Sequence, residues 1–98
     1  MRPLTLDLDR PDGRPYFLWS EDLSLHEFVG RLRGDDAAER LRLLALLLRE
    51  ARDSDVWRFV TPEEIARALP RLAPRLGRRR RFWEFLISGW RADGLLAA

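Results

Sequence analysis

The sequence predicts an all-α fold: a single compact domain of about four main helices and short helical turns, with an extended N-terminal arm. Three observations carry this expectation. Apolar residues recur at helical spacing, i, i+3, i+4 and i+7, in several separate stretches. Three of those stretches open on a residue suited to cap a helix. The one run of strand period, Leu4-Thr5-Leu6-Asp7-Leu8, is short and sits in a proline-rich segment. Ninety-eight residues suit one domain. Its expected parts are an arm over 1–19 and a helical body over 24–93.

The arm, "MRPLTLDLDRPDGRP", holds three prolines and a Pro-Asp-Gly turn signal. It reads as an extended arm or lone edge strand followed by a turn. Four bulky residues follow, Tyr16, Phe17, Leu18 and Trp19, expected to be extended and docked on the helices. Ser24 with Glu27 three residues later forms a capping box. The helix it opens presents Leu25, Phe28, Val29 and Leu32 on one face and stops at Gly34. Asp35 or Asp36 caps the next helix, expected to reach about residue 52. Its main stripe is Ala37, Leu41, Leu44, Ala45, Leu48 and Ala51. Leu43, Leu46 and Leu47 form a second apolar ridge on nearly the opposite side. A helix apolar on two sides is either central or shared with a partner.

"DSDVWRFV" predicts a short helical turn carrying Val56, Trp57, Phe59 and Val60. "TPEE" at 61–64 is a strong helix start, with Thr61 as cap, Pro62 at the first position and Glu64 closing the box. Pro70 is expected to end that helix near Leu69. The last helix is expected from about Arg79 to Ala92, with Gly94 as its stop. Its apolar face is Phe82, Phe85, Leu86, Gly89 and Trp90, widened by Trp83 and Ile87. Arg80, Glu84, Ser88 and Arg91 form its exposed strip.

Composition narrows the chemistry. There is no cysteine and one histidine, so disulfides, thiolate metal sites and histidine pairs are excluded. His26 lies between Leu25 and Glu27 and reads as a surface residue. No phosphate-binding glycine loop, nucleophile elbow or zinc-protease motif is present. The acid pairs Glu21-Asp22, Asp35-Asp36 and Glu63-Glu64 sit at or near expected helix starts, where they complement the helix dipole. No catalytic residue, cofactor or metal is expected, and the chain reads as a non-enzymatic binding domain. No apolar run is long enough to cross a membrane, no signal-peptide pattern opens the chain, and a cytoplasmic location is the expectation.

All 18 basic residues are arginine, and the net charge is +2. It divides unevenly: residues 1–55 hold nine arginines and twelve acids, and residues 56–98 hold nine and four. A bipolar domain can bind polyanions at one end or associate with itself end to end. Arg78, Arg79, Arg80 and Arg81 crowd a helix start, where positive charge opposes the dipole. Either they bind an anion, such as a nucleic-acid phosphate, a bound phosphate or sulfate, or a partner's carboxylates, or they reach into solvent and screen one another, or they pair within the fold with Asp53 and Asp55. A helix-turn-helix reading of the region is disfavoured by the eight-residue connector 70–77 with its two prolines.

The order "PYFLWSEDLS", "DVWRFVTPEEIARALPRL" and "FWEFLISGW" resembles a family of small all-helical bacterial proteins. Genes of that family often lie beside nucleotidyltransferase toxins of the abortive-infection class. The resemblance covers residues 15 to about 91 and rests on aromatic positions. It implies an antitoxin-like or accessory partner of a nucleotidyltransferase and supplies no site residues. The expected function is therefore protein binding, through the arm (Tyr16, Phe17 and Trp19), the ridge (Leu43, Leu46 and Leu47) and the arginines. The alternative is a nucleic-acid-binding module built on Arg78, Arg79, Arg80 and Arg81.

Overall fold

The computed structural model describes residues 2–96. Met1, the first residue of the expected arm, and Ala97 and Ala98, the end of the expected domain, lie outside the described residues. The fold is all-α apart from one minimal sheet. Strand β1 (Leu4–Thr5) pairs in parallel with β2 (Arg14–Pro15), Leu4 opposite Arg14. Helices α1 (Leu25–Leu32), α2 (Ala37–Glu50), α3 (Asp53–Val56), α4 (Pro62–Leu72) and α5 (Arg80–Ala92) follow. Single 3-10 turns lie at Tyr16–Leu18, Ala73–Arg75 and Gly77–Arg79.

The helix starts follow the sequence. Ser24 accepts from the Glu27 amide at 3.1 Å, and the Glu27 carboxylate accepts from the Ser24 amide at 3.0 Å. Asp36 and Thr61 accept from the amides of Glu39 and Glu64 at 3.1 and 3.2 Å. Each bond satisfies a donor that a helix start leaves free. The Ser24 amide, helped by Arg2 at 3.2 Å, holds the Glu27 carboxyl well below its ordinary range, at about 2. A carboxyl with a depressed folded pKa contributes stability above its unfolded value, and that contribution disappears as pH falls through the folded value. We therefore expect the Glu27 side chain to titrate with a midpoint near 2, with loosening of the α1 start confined to the window below about pH 4.5. Carboxyl chemical shifts followed against pH check this; a midpoint near 4 would mean that the box does not persist in solution.

Helix α2 is the centre of the domain, in contact with α1, α3, α4 and the turns at Tyr16–Leu18 and Gly77–Arg79. Residues 43–48 are all buried. Leu43, Leu46 and Leu47, expected as a partner surface, are core residues with 0, 3 and 0% exposure. The second ridge exists, but the fold itself covers it. Trp83 of α5 lies fully buried and donates its indole N–H to the Leu48 carbonyl at 3.0 Å. That carbonyl belongs to the last turn of α2, where an in-helix donor is missing.

The arm is likewise part of the fold. Phe17 and Leu18 are fully buried, in a 3-10 turn rather than the extended segment expected. Phe17 meets Tyr16, Phe28 and Phe59 edge to face with centroids 5.2–5.6 Å apart. The half-buried Tyr16 donates its hydroxyl to Asp55 at 2.5 Å and accepts from the Arg52 amide at 2.9 Å. Phe17 is thus excluded as a contact for a partner, and Tyr16 is mostly committed. Trp19 remains 58% exposed, with its indole N–H on Glu50 at 3.1 Å.

Helix α4 runs through Pro70 to Leu72, three residues past the expected end. Proline removes the amide that would bond the Ala66 carbonyl. Arg91 of α5 donates to that carbonyl at 3.3 Å, so the helix continues and the two helices are tied into a hairpin. Helix α5 ends as expected at Gly94, whose φ of +77° suits glycine. Leu95 donates to the Trp90 carbonyl and Gly94 to that of Arg91, a Schellman motif. The face of α5 differs from expectation: Trp83 and Ile87 are its buried line, and Phe85 is 78% exposed. Phe85 lies two residues on from Trp83, about 200° round the helix, so both cannot face the core.

Candidate functional site

The best-formed concavity is a groove of about 530 Å³ between the end of α1, the first half of α2, and α4. Its apolar floor is set by Leu32, Leu41, Leu44, Val60 and Ala68. Caps and periodicity place these residues: the Asp36 cap sets the phase of α2, and the Thr61 cap sets that of α4. Leu41 and Leu44 belong to the main stripe of α2. That stripe is covered only along its second half, and the chain leaves Leu41 half-exposed.

The rim is cationic. Arg33, Arg40, Arg67 and Arg71 line it, against one carboxylate, Glu64. Arg33 grips Glu64 at 2.7 Å and also donates to the Phe59 carbonyl. Burial pushes the Glu64 carboxyl up, but Arg33 and the Thr61 cap outweigh it and keep the carboxyl below its ordinary range. Arg40 donates to the Gly34 carbonyl at 2.7 Å. Arg67 and Arg71 are exposed and meet no acceptor among the described residues. The groove can therefore take an apolar side chain on its floor and offer two uncommitted guanidinium groups to an acidic neighbour.

The four consecutive arginines do not act as one cluster. Arg79 pairs with Asp53 and lies over the Phe82 ring, 4.4 Å from its centroid. Arg80 pairs with Glu84 one turn along α5 at 3.3 Å. Arg78 and Arg81 are exposed and meet no acceptor among the described residues. Pairing with Asp53 thus accounts for Arg79, while Asp55 serves Tyr16 instead. One or both members of each acid pair serve the fold: Asp36 caps α2, Glu64 is held by Arg33 rather than closing a box on Thr61, and Glu21 and Asp22 bond Arg42 and Arg2.

Sequence reasoning missed Arg14. It is 5% exposed, and its guanidinium donates to the carbonyls of Arg2, Leu18, Trp19 and Glu21 at 2.9–3.2 Å. It also missed Arg67, Arg71 and Arg75, whose regular spacing was readable but crosses two prolines. His26 is exposed. No group of three or more His, Cys, Asp or Glu that could hold a metal is found among the described residues. No described helix is long and apolar enough to cross a membrane. Comparison with family models, curated proteins and solved structures finds no match to this chain.

Proposed function

We propose that the chain is a non-enzymatic protein-binding domain, and that the groove between α2 and α4 is its recognition surface. The observation that carries this is an open apolar floor rimmed by arginines, two of them uncommitted. A leucine-sized side chain seated on that floor contributes about 1.5–3 kcal/mol. Carboxylates beside it meet Arg67 and Arg71, which favours acidic partners and speeds their encounter. The family resemblance makes an antitoxin-like role towards a nucleotidyltransferase the specific form of this proposal. Such an enzyme holds its divalent metals with carboxylates, which are suited to an arginine-bearing rim. The expected ridge of Leu43, Leu46 and Leu47 has no part in it.

A photo-crosslinking side chain at position 41, compared with one at position 85, tests the groove in the native host. The expected result is one dominant protein adduct from position 41, lost when the exposed rim arginines are reversed (Arg67→Glu with Arg71→Glu), with no matching adduct from position 85. Adducts of equal pattern from both positions, or none from position 41, would remove the groove as the binding surface.

A further inference from the structure

We propose that a line of uncommitted arginines, Arg67, Arg71, Arg75, Arg78 and Arg81, is a track for the phosphodiester backbone of single-stranded nucleic acid. Phe85 stands at its end as a stacking platform. These five are spaced four, four, three and three residues apart; the first step is one turn of α4, and the later ones pass through two 3-10 turns and Gly77, with φ +53°, into α5. All five are exposed, and none meets an acceptor among the described residues. Between them the chain turns Leu69, Leu72, Ala73 and Leu76 into the core. The arginines are thereby held on the outer side of α4, of the 3-10 turns, and of the α5 start.

The other arginines, Arg52 apart, have acceptors among the described residues; Arg52 lies over the Tyr16 ring, 5.5 Å from its centroid. Arg33, Arg42, Arg58, Arg79 and Arg80 pair with carboxylates, and Arg14, Arg40 and Arg91 bond backbone carbonyls. No carboxylate occurs between Glu64 and Glu84. Both ends of that interval are already taken, Glu64 by Arg33 and Glu84 by Arg80. Each phosphate that an arginine neutralises releases a cation condensed on the nucleic acid, so a run of arginines without counter-charge gains affinity at low salt. Arg91 on Ala66 folds α5 back along α4, so the track passes round the corner of this hairpin. Phe85, 78% exposed, shares the outer side of α5 with Arg81 one turn before it. An exposed ring beside arginines is what an unpaired base needs and a duplex cannot use. Phosphate contacts of this kind give affinity without sequence preference.

The track touches the groove only at Arg67 and Arg71, so the test uses residues outside the groove. Binding of a fluorescent 20-nucleotide uridine strand is followed by anisotropy from roughly 50 to 200 mM salt. Tight binding at low salt is expected, with a log–log salt slope of about −3 if four or five phosphates are contacted. Arg75→Glu with Arg78→Glu and Arg81→Glu should weaken binding at least roughly ten-fold and bring the slope near −1.4. Phe85→Ala should cost the single strand roughly five-fold and a duplex of the same length nothing. All these side chains are exposed, and circular dichroism verifies that each variant is folded. Leu41→Ala, which changes the groove floor without adding charge beside Arg67 and Arg71, should leave nucleic-acid binding intact, which separates this proposal from the groove. No binding at low salt, or an unchanged triple variant, overturns the track. A duplex bound more tightly than the single strand overturns the role of Phe85. Polyglutamate bound as tightly as the strand reassigns the arginines to an acidic protein.

Discussion

Leu43→Glu combined with Leu47→Glu is expected to leave no folded domain. Both leucines are fully buried on the central helix. Removing each from the core forfeits about 1.5–3 kcal/mol of apolar burial. Each carboxylate adds a desolvation cost of several kcal/mol. The sum, on the order of 10 kcal/mol, is as large as the total of about 5–15 kcal/mol that holds a domain of this kind together. Circular dichroism should show lost helicity and no cooperative melt. The milder Leu47→Ala should cost about 2–5 kcal/mol, lowering Tm by roughly 4–8 °C per kcal/mol. Leu41→Glu, by contrast, enters the half-exposed mouth of the groove and should melt cooperatively. A folded double variant that melts near the parent would mean that the ridge is a surface after all.

This contrast shows what periodicity can and cannot resolve. Spacing correctly identified two apolar sides on α2, and it cannot say which neighbour covers each. The main stripe and the second ridge look alike in sequence. In the fold, Trp83, the Tyr16–Leu18 turn and α4 close over the ridge and the later stripe, and Leu41 is left at an open edge. Helix starts were legible because their signal is local: Ser24, Asp36 and Thr61 each act on an amide three residues away. The stop at Gly94 was legible for the same reason. The extent of α4 was not, because the bond that compensates Pro70 comes from Arg91, 25 residues from the carbonyl it reaches. That misplaced boundary also hid the arginine track. With prolines read as punctuation, Arg71 and Arg75 fall in a connector, and the period joining them to Arg67 and Arg78 is broken. The four-arginine run drew notice by composition, yet two of its members serve the fold.

Arg14→Ala is expected to cost about 3–5 kcal/mol, more than truncation of any exposed side chain of the arm. A buried guanidinium without a carboxylate partner would ordinarily be prohibitive. Here four carbonyl dipoles replace its hydration, three from the segment 18–21 and one from Arg2. The fork of five donors spans acceptors in several directions at once. Each hydrogen bond to a charged group contributes about 1.5–3 kcal/mol, and water entering after truncation recovers part of that. Arg14→Lys tests the geometry separately from the charge. A single ammonium cannot reach acceptors spread round a planar fork, so lysine should recover less than half of the loss. Thermolysin, which cleaves before apolar residues, distinguishes local from global damage, because the arm carries the exposed Leu6 beside the bonds in question. If Arg14 clasps only the arm, cleavage there accelerates while the helical body stays protected. The buried Phe17 and Leu18 follow two residues after Pro15, in the turn whose carbonyls Arg14 holds. Loss of the clasp should therefore open the aromatic core as well, lowering the global melt along with local resistance to cleavage. A variant that melts within about 0.5 kcal/mol of the parent, the range of an ordinary surface substitution, would reduce Arg14 to a passenger of a core that stands without it.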